Sequence, residues 1–184
     1  PVVGDAKNAL LGLLKEVSPR QRSVWNEKID GWKKDYPLRY IPDMNVIKPQ
    51  YVIEKICQIA PEAVITTEVG QNQMWAAQFF VHRDPTKFIS SGGLGTMGYG
   101  FPAAIGAKIG RPECDVIDIA GDGSFLMNSQ EMATAVVNDI PVKVAVLNNG
   151  CLGMVRQWQE LFFEKRYSAT ILGRTSPDFV KLAE

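Results

Sequence analysis

The chain has little of what most metal, disulfide or membrane chemistry requires. Its 184 residues contain one histidine, His82, so a two-histidine metal site is excluded, and with no motif beside it His82 reads as a surface or loop residue. The three cysteines, Cys57, Cys114 and Cys151, are odd in number and show no C-x-x-C spacing. They support neither a disulfide frame nor a zinc site and are expected to be reduced thiols. No apolar run approaches the ~20 residues that cross a bilayer, and no signal-peptide pattern opens the chain. Twenty basic and twenty acidic side chains cancel, so neither nucleic acid nor an anionic membrane is an expected partner. A cytoplasmic or organelle-matrix protein is implied, with its acid–base chemistry supplied by carboxylates or by a cofactor.

What is present centres on residues 115–155. An apolar run, Val116 to Ala120, breaks into Gly121-Asp122-Gly123-Ser124, and a second run, Val142 to Leu147, ends in Asn148-Asn149-Gly150. Between them, Asn128 to Asn138 reads as an amphipathic helix with Met132, Ala135 and Val136 on one face. A strand, crossover helix, strand unit of this length places the strands parallel, so Asp122 and Asn149 meet at the carboxyl edge of the sheet, where ligands bind. A carboxylate and an amide oxygen are hard donors suited to Mg²⁺ carrying phosphate oxygens. The flanking glycines allow close approach, and Gly123 and Ser124 lead into the amino end of the crossover helix, which favours an anion. The residues therefore read as a site for a magnesium-bridged diphosphate.

Along the rest of the chain, Val2 to Asp5 is expected to end a strand, with Asp5 capping a helix through Val17 that shares Leu10, Leu13, Leu14 and Val17 on one face. Trp25, Ile29 and Trp32 fall at helical spacing in a segment expected to pack on the domain. Pro49 opens a helix through Ala60 with Val52, Ile53, Ile56 and Ile59 inward. Ala63 to Thr67 and Lys87 to Ser90 read as buried strands, and a helix runs from Pro102 to Ile109. A further helix begins after the asparagine pair and carries Met154, Val155 and Trp158, and Pro177 to Glu184 reads as a helix with Pro177 in its first turn. Pro1 is no initiator and Glu184 falls within a helix, so the chain is expected to be a piece of a longer polypeptide. The fold expected is α/β, a doubly wound, mostly parallel sheet flanked by helices. Gly93-x-Gly95-x-x-Gly98 also fits the dinucleotide fingerprint of a nicotinamide-binding domain. That fingerprint wants an acidic ribose clamp after the next strand, whereas the next strand here ends in Gly121-Asp122-Gly123, a metal loop.

Gly121-Asp122-Gly123-Ser124 with Asn149 at 149 − 122 = 27 positions further on resembles the thiamin-diphosphate motif, and Ile105-Gly106, Pro112 and Ile117 to Asp122 agree with its usual lead-in. Together with Val69-Gly70-Gln71, the run from Ser91 to Gly98, and Gly153-Met154-Val155-Arg156-Gln157-Trp158-Gln159, the chain from about Pro37 onward resembles the acetolactate synthase (acetohydroxyacid synthase) catalytic subunits. The resemblance implies decarboxylation of pyruvate and transfer of a two-carbon unit to pyruvate or 2-oxobutyrate, in branched-chain amino-acid biosynthesis. It also implies thiamin diphosphate and Mg²⁺ here, FAD on a middle domain, a homodimer or tetramer, and a possible regulatory small subunit. Residues 1–17 would be the tail of that middle domain, with leucines left exposed, 18–48 a connecting segment and 49–184 the diphosphate-binding domain. In the resembled pattern Asp122, Asn149 and the backbone carbonyl of Cys151 hold the metal. Val69, Gly70, Gln71, Asn72, Gly121, Gly123, Ser124, Leu152, Gly153, Met154 and Val155 line the cofactor, Gly95 offers a carbonyl to its aminopyrimidine, and Met97 wedges beneath it. Met154 and Trp158 face the substrate, and Lys165 to Tyr167 belong to a cap. The family commonly has histidine at the position of Asn72, an amide that cannot titrate. No catalytic side chain is implied in this chain, because the activating glutamate belongs to a partner's amino-terminal domain. Other thiamin-dependent 2-keto acid decarboxylases and oxidases share the metal motif without the 153–159 run, and a catalytically silent module is opposed by the intact Asp122 and Asn149.

Overall fold

The computed structural model describes residues 1–173 and 175–184 and divides into two units, Pro1–Arg39 and Tyr40–Glu184. In the first unit, helix α1 (Ala6–Glu16) starts at the expected cap, where the Asn8 N–H donates to Asp5 Oδ1 at 3.0 Å. Val2 to Gly4 form no strand, contrary to expectation, because no strand of the unit lies beside them to pair their backbone groups. Leu10, Leu13, Leu14 and Val17 are all exposed. Helix α2 (Ser23–Asp35) brings Trp25 and Trp32 edge to face at 5.7 Å, with the Lys28 ammonium 5.7 and 5.1 Å from the two rings. Both indoles stay about half exposed, so their spacing builds a surface cation–π cluster and the expected core role is corrected.

The second unit alternates helices and strands: α3 (Pro49–Ile59), β1 (Val64–Thr67), α4 (Gln71–Phe79), β2 (Phe88–Ser90), α5 (Gly100–Gly110), β3 (Val116–Gly121), α6 (Asp122–Phe125), α7 (Glu131–Val137), β4 (Lys143–Leu147), α8 (Gly153–Phe162) and α9 (Phe179–Ala183). The four strands are parallel and lie in the order β2-β1-β3-β4, with Ile65 opposite both Phe88 and Ile117, and Ile117 opposite Lys143. Their apolar runs are covered on both faces, as a parallel sheet requires. Ile65, Ile117 and Ile119 pack under α3 and α4 with Ile53, Ala76 and Phe80, while Val64, Val116 and Ala120 pack under α5 and α7. Burying a side chain such as Ile53 or Ile119, both fully enclosed, contributes roughly 1.5–3 kcal/mol each.

Three local expectations are corrected. Ile59 points outward, 82% exposed, because the buried stripe of α3 runs through Ile53, Ile56, Cys57 and Ala60. The crossover helix begins only at Glu131, since the Asn128 side chain is drawn away to donate to the Gly98 carbonyl at 2.7 Å; Met132 and Ala135 pack inward while Val136 is 75% exposed. Helix α9 is capped by Asp178, which accepts from the Val180 and Lys181 N–H groups, so Pro177 lies before the helix.

The sheet also holds a carboxyl group. Asp118 of β3 is fully buried opposite Thr66, whose hydroxyl donates to Asp118 Oδ1 at 3.1 Å, and its Oδ2 has no partner among the described residues. Burial first, then the neighbouring Glu68 carboxylate, pushes the Asp118 carboxyl from 3.8 up to about 8, so it is neutral at pH 7. The native chain then holds a proton that the unfolded chain releases above about pH 4. This group's contribution is fully present below pH 3.8 and is lost as pH rises towards about 8. Asp118→Asn, which cannot titrate, should flatten that decline by up to ~1.4 kcal/mol per pH unit. Urea unfolding of both chains from pH 5 to 8 measures it, and parallel pH profiles would refute the neutral carboxyl.

Candidate functional site

The strand order places a reversal between β1 and β3: the chain leaves β1 for β2 on one side, then returns across β1 to β3 on the other. Loops after these two strands diverge and leave a crevice at their carboxyl ends. A cavity of about 250 Å³ occupies it, and all sixteen residues expected to contact the cofactor line it: Val69 to Asn72, Gly95 and Met97, Gly121 to Ser124, Asn149, and Cys151 to Val155. Gln73, Met74, Trp75 and Leu147 line it as well and were not anticipated.

Asp122 stands at the floor, 1% exposed, as the first residue of the single helical turn α6. Its Oδ2 is buried without a hydrogen-bond partner among the described residues. Burial pushes the carboxyl above its usual range, opposed by the backbone N–H groups of Asp122, Asn149, Gly123 and Gly150. A desolvated oxygen with no donor is costly for the empty protein and suited to a cation. The backbone beside it is closely covered: a side-chain carbon at Gly123 would fall 2.7 Å from both Leu152 Cδ2 and Leu172 Cδ1. Among the described residues no three His, Cys, Asp or Glu side chains gather around a metal position, so a cation at Asp122 would take its other oxygens from amides, the backbone and a bound diphosphate.

The second strand end supplies such oxygens. Asn149 is exposed at the cavity rim and its Oδ1 accepts from the Cys151 N–H at 3.1 Å and the Cys151 thiol at 3.4 Å. The thiol is thus turned to the amide, while the Cys151 carbonyl accepts no hydrogen bond among the described residues. Residues 170–172 return to hold this loop: the Leu152 N–H donates to the Thr170 carbonyl at 2.8 Å and the Leu172 N–H to the Gly150 carbonyl at 2.7 Å. Sequence reasoning gave that segment no role, since a single isolated bridge leaves no periodic pattern.

Two supports of the site were misjudged or missed. Asn72 lines the cavity, but its NH₂ donates to the Glu68 and Ile119 carbonyls, both at 2.8 Å, and so joins the ends of β1 and β3. One amide nitrogen carries both donors needed there, a task that a neutral imidazole with one N–H cannot perform. Glu68, fully buried directly after β1, was not singled out at all. Its Oε2 accepts from the Gly98 N–H at 2.8 Å and the Ser124 hydroxyl at 2.6 Å, and its Oε1 from the Phe101 N–H at 3.0 Å. A carboxylate closing an apolar strand was the available signal. The crossover helix itself presents nothing to the cavity: the backbone donors beside Asp122 belong to α6.

Of the two residues expected to face a substrate, Met154 lines the cavity and Trp158 does not. Trp158 is 54% exposed, stacks on Phe162 with centroids 4.9 Å apart, and borders a neighbouring depression with Val155, Gln159, Phe163 and Arg166. Tyr167, in the expected cap segment, donates to Glu160 at 2.9 Å, and Thr170 donates to Gln159 at the same distance, tying the segment back to α8. His82 is exposed in a loop, as expected, against Phe80 and Phe88.

Comparison with known proteins agrees with this geometry. Residues 68–184 match the thiamine pyrophosphate enzyme, C-terminal TPP binding domain. Over the whole chain, 51% identity is shared with an acetolactate synthase of Mycobacterium leprae, 50% with the mitochondrial acetolactate synthase catalytic subunit of Saccharomyces cerevisiae, and 49% with a probable acetolactate synthase large subunit of Methanocaldococcus jannaschii. The chain spans 31%, 27% and 33% of these relatives, respectively.

The orphaned oxygen gives a direct test. Asp122→Ala removes the buried Oδ2 that has no partner among the described residues along with an oxygen that faces backbone N–H groups, so thermal stability without ligand should change little. The added stability from Mg²⁺ with thiamin diphosphate, ~2.7 kcal/mol at a hundredfold excess over Kd, should be lost. Thermal unfolding with and without both ligands reads the two effects, and an undiminished ligand shift in the variant would remove Asp122 from the metal site.

Proposed function

Because the chain belongs to the thiamine pyrophosphate enzymes, we propose that it is the diphosphate-binding module of an acetolactate synthase catalytic subunit. The parent enzyme would decarboxylate pyruvate and join the two-carbon unit to pyruvate or 2-oxobutyrate. The observation that carries this reading is the convergence of the sixteen expected residues on one crevice around a buried, unpartnered Asp122 oxygen, in a chain about half identical to acetolactate synthases throughout its length.

Thiamin diphosphate, when bound, supplies the electron sink for the carbon–carbon chemistry. The residues of this chain bind and orient. Asp122, Asn149 and the Cys151 carbonyl would hold Mg²⁺, a thiol being too soft a ligand for it. Val69, Gly70 and Gln71 and the backbone N–H groups following Gly121 would meet the diphosphate, Gly95 would offer its carbonyl to the aminopyrimidine, and Met97 would press beneath the cofactor. Met154 and Trp158 would bound the acceptor keto acid. FAD and the glutamate that activates the cofactor are assigned to other domains of the parent protein, in a homodimer or tetramer. We assign residues 1–17 to the tail of a middle domain and 18–48 to a connector, and place the parent in the cytoplasm or an organelle matrix, where three free cysteines stay reduced.

Acetolactate formation by the full-length protein from pyruvate, Mg²⁺ and thiamin diphosphate is the decisive assay. The 184-residue chain alone, holding half of the site, should show no turnover. Trp158→Leu in the full-length enzyme should shift the ratio of products from competing pyruvate and 2-oxobutyrate, by an amount within the ~1–3 kcal/mol that a methylene-sized change in a pocket allows. An unaltered ratio would remove Trp158 from the acceptor site, and absence of acetolactate from the full-length protein would overturn the reading as a whole.

A further inference from the structure

The buried Glu68 side chain binds three separate parts of the cavity wall to one point. Gly98, the last residue of the glycine-rich turn that carries Gly95 and Met97, donates its N–H to Glu68 Oε2 at 2.8 Å and is shared with Ser124 Oγ at 3.1 Å. Phe101 in the first turn of α5 donates to Oε1 at 3.0 Å. Ser124, two residues after Asp122, donates its hydroxyl to Oε2 at 2.6 Å and accepts from the Val69 N–H at 3.3 Å. Every partner of the carboxylate is a donor, so the two oxygens act only as acceptors.

The surrounding backbone is shaped to permit this convergence. Gly98 sits at φ +85°, where a side-chain carbon would come within 2.9 Å of the Asn128 amide and 3.0 Å of Met127 Cβ. Gly100 lies so close to the end of β1 that a side-chain carbon would fall 2.5 Å from both the Glu68 nitrogen and Asp118 Oδ1. Only these two glycines let the turn and the start of α5 descend onto the carboxylate. The separation between the Gly95–Met97 wall and the Asp122 floor is therefore fixed through one side chain that touches neither.

We propose that Glu68 is a positioning residue of the cofactor site, setting the spacing between the turn ending at Gly98 and the segment from Asp122 to Ser124. The proposal rests on the thiamin-diphosphate reading of the site. In Glu68→Gln an NH₂ replaces one oxygen, so a buried N–H faces the N–H of Gly98 or Phe101. A buried donor left without an acceptor weakens a local arrangement by about tenfold to a hundredfold.

The test uses the full-length protein without cofactor. Glu68→Gln should speed amide hydrogen exchange across residues 95–101 by about tenfold or more while the amides of β1 and β3 keep their wild-type protection. The dissociation constant for thiamin diphosphate at saturating Mg²⁺, from calorimetry, should rise about tenfold or more, and KM for pyruvate at saturating cofactor should stay as in the wild type. Glu68→Asp, which keeps an acceptor-only group on a shorter stem, should recover part of both losses, and it carries the same test should Glu68→Gln fail to fold. Exchange that rises equally in β1, β3 and 95–101 would make Glu68 a general stabiliser and overturn the proposal, as would wild-type exchange and affinity. Failure of the wild-type protein to bind thiamin diphosphate would instead overturn the reading of the site, leaving the exchange result to judge Glu68 separately.

Discussion

The parallel pairing of β1 with β3 is the constraint on which the site depends. These two strands are consecutive in space and separated in sequence by the whole of β2 and α5, so the loops leaving them part company. The register that sets Thr67 against Ile119 brings Glu68 to the same edge as Asp122. Asn72 fastens that edge by bonding one carbonyl from each strand. Slippage by a single residue would reverse every side chain of a strand between the two cores and separate the carboxylates. Burial on both faces of the sheet thus holds the geometry of a polar site that makes no use of the apolar side chains itself.

Three carboxyl groups lie within this small region, and their surroundings give them three different states. Glu68 is enclosed by donors and fully satisfied within the protein. Asp118 has one hydroxyl donor and an unpartnered second oxygen, and burial makes it the neutral acid of the group. Asp122 lines the cavity with backbone N–H groups around its carboxyl, and its buried Oδ2 has no partner among the described residues. Of the three, Asp122 is the one that lines the cavity, whereas Glu68 is held by three donors and Asp118 lies within the sheet. Residue type says little here, and the number of donors around each oxygen says most.

Much of this was legible in the chain. Runs such as Val116 to Ala120, ended by glycine and followed at a helical interval by Val142 to Leu147, are long-range consequences of local pattern, and they located Asp122 and Asn149 correctly on one edge. Side-chain facing within single helices was less secure. Ile59 and Val136 satisfy an apolar period and still point outward, because the sheet covers a narrower stripe than the period would allow. Glu68 and Asn72 escaped proper reading for a different reason. Their partners Gly98, Phe101, Ser124 and Ile119 lie 30 to 56 positions away and follow no repeat. A hydrogen bond made across a crossover has no period for a sequence to display. The segment 170–172 was missed on the same grounds.

The distribution of these two kinds of information bears on what the fold can do. Asp122 and Asn149, which line the crevice, sit at strand ends, where backbone position follows from the sheet. Residues that would choose a substrate sit further out. Met154 reaches the cavity from the first turn of α8, whereas Trp158, one turn later, leaves it and lies half open against Phe162. The floor of the crevice is therefore built into the core of the unit, while the face of α8 at Trp158 is one that this unit does not enclose. Fold alone does not fix function, and a crevice held by strand ends beside a less enclosed helix lets side chains on that helix differ without disturbing the strands.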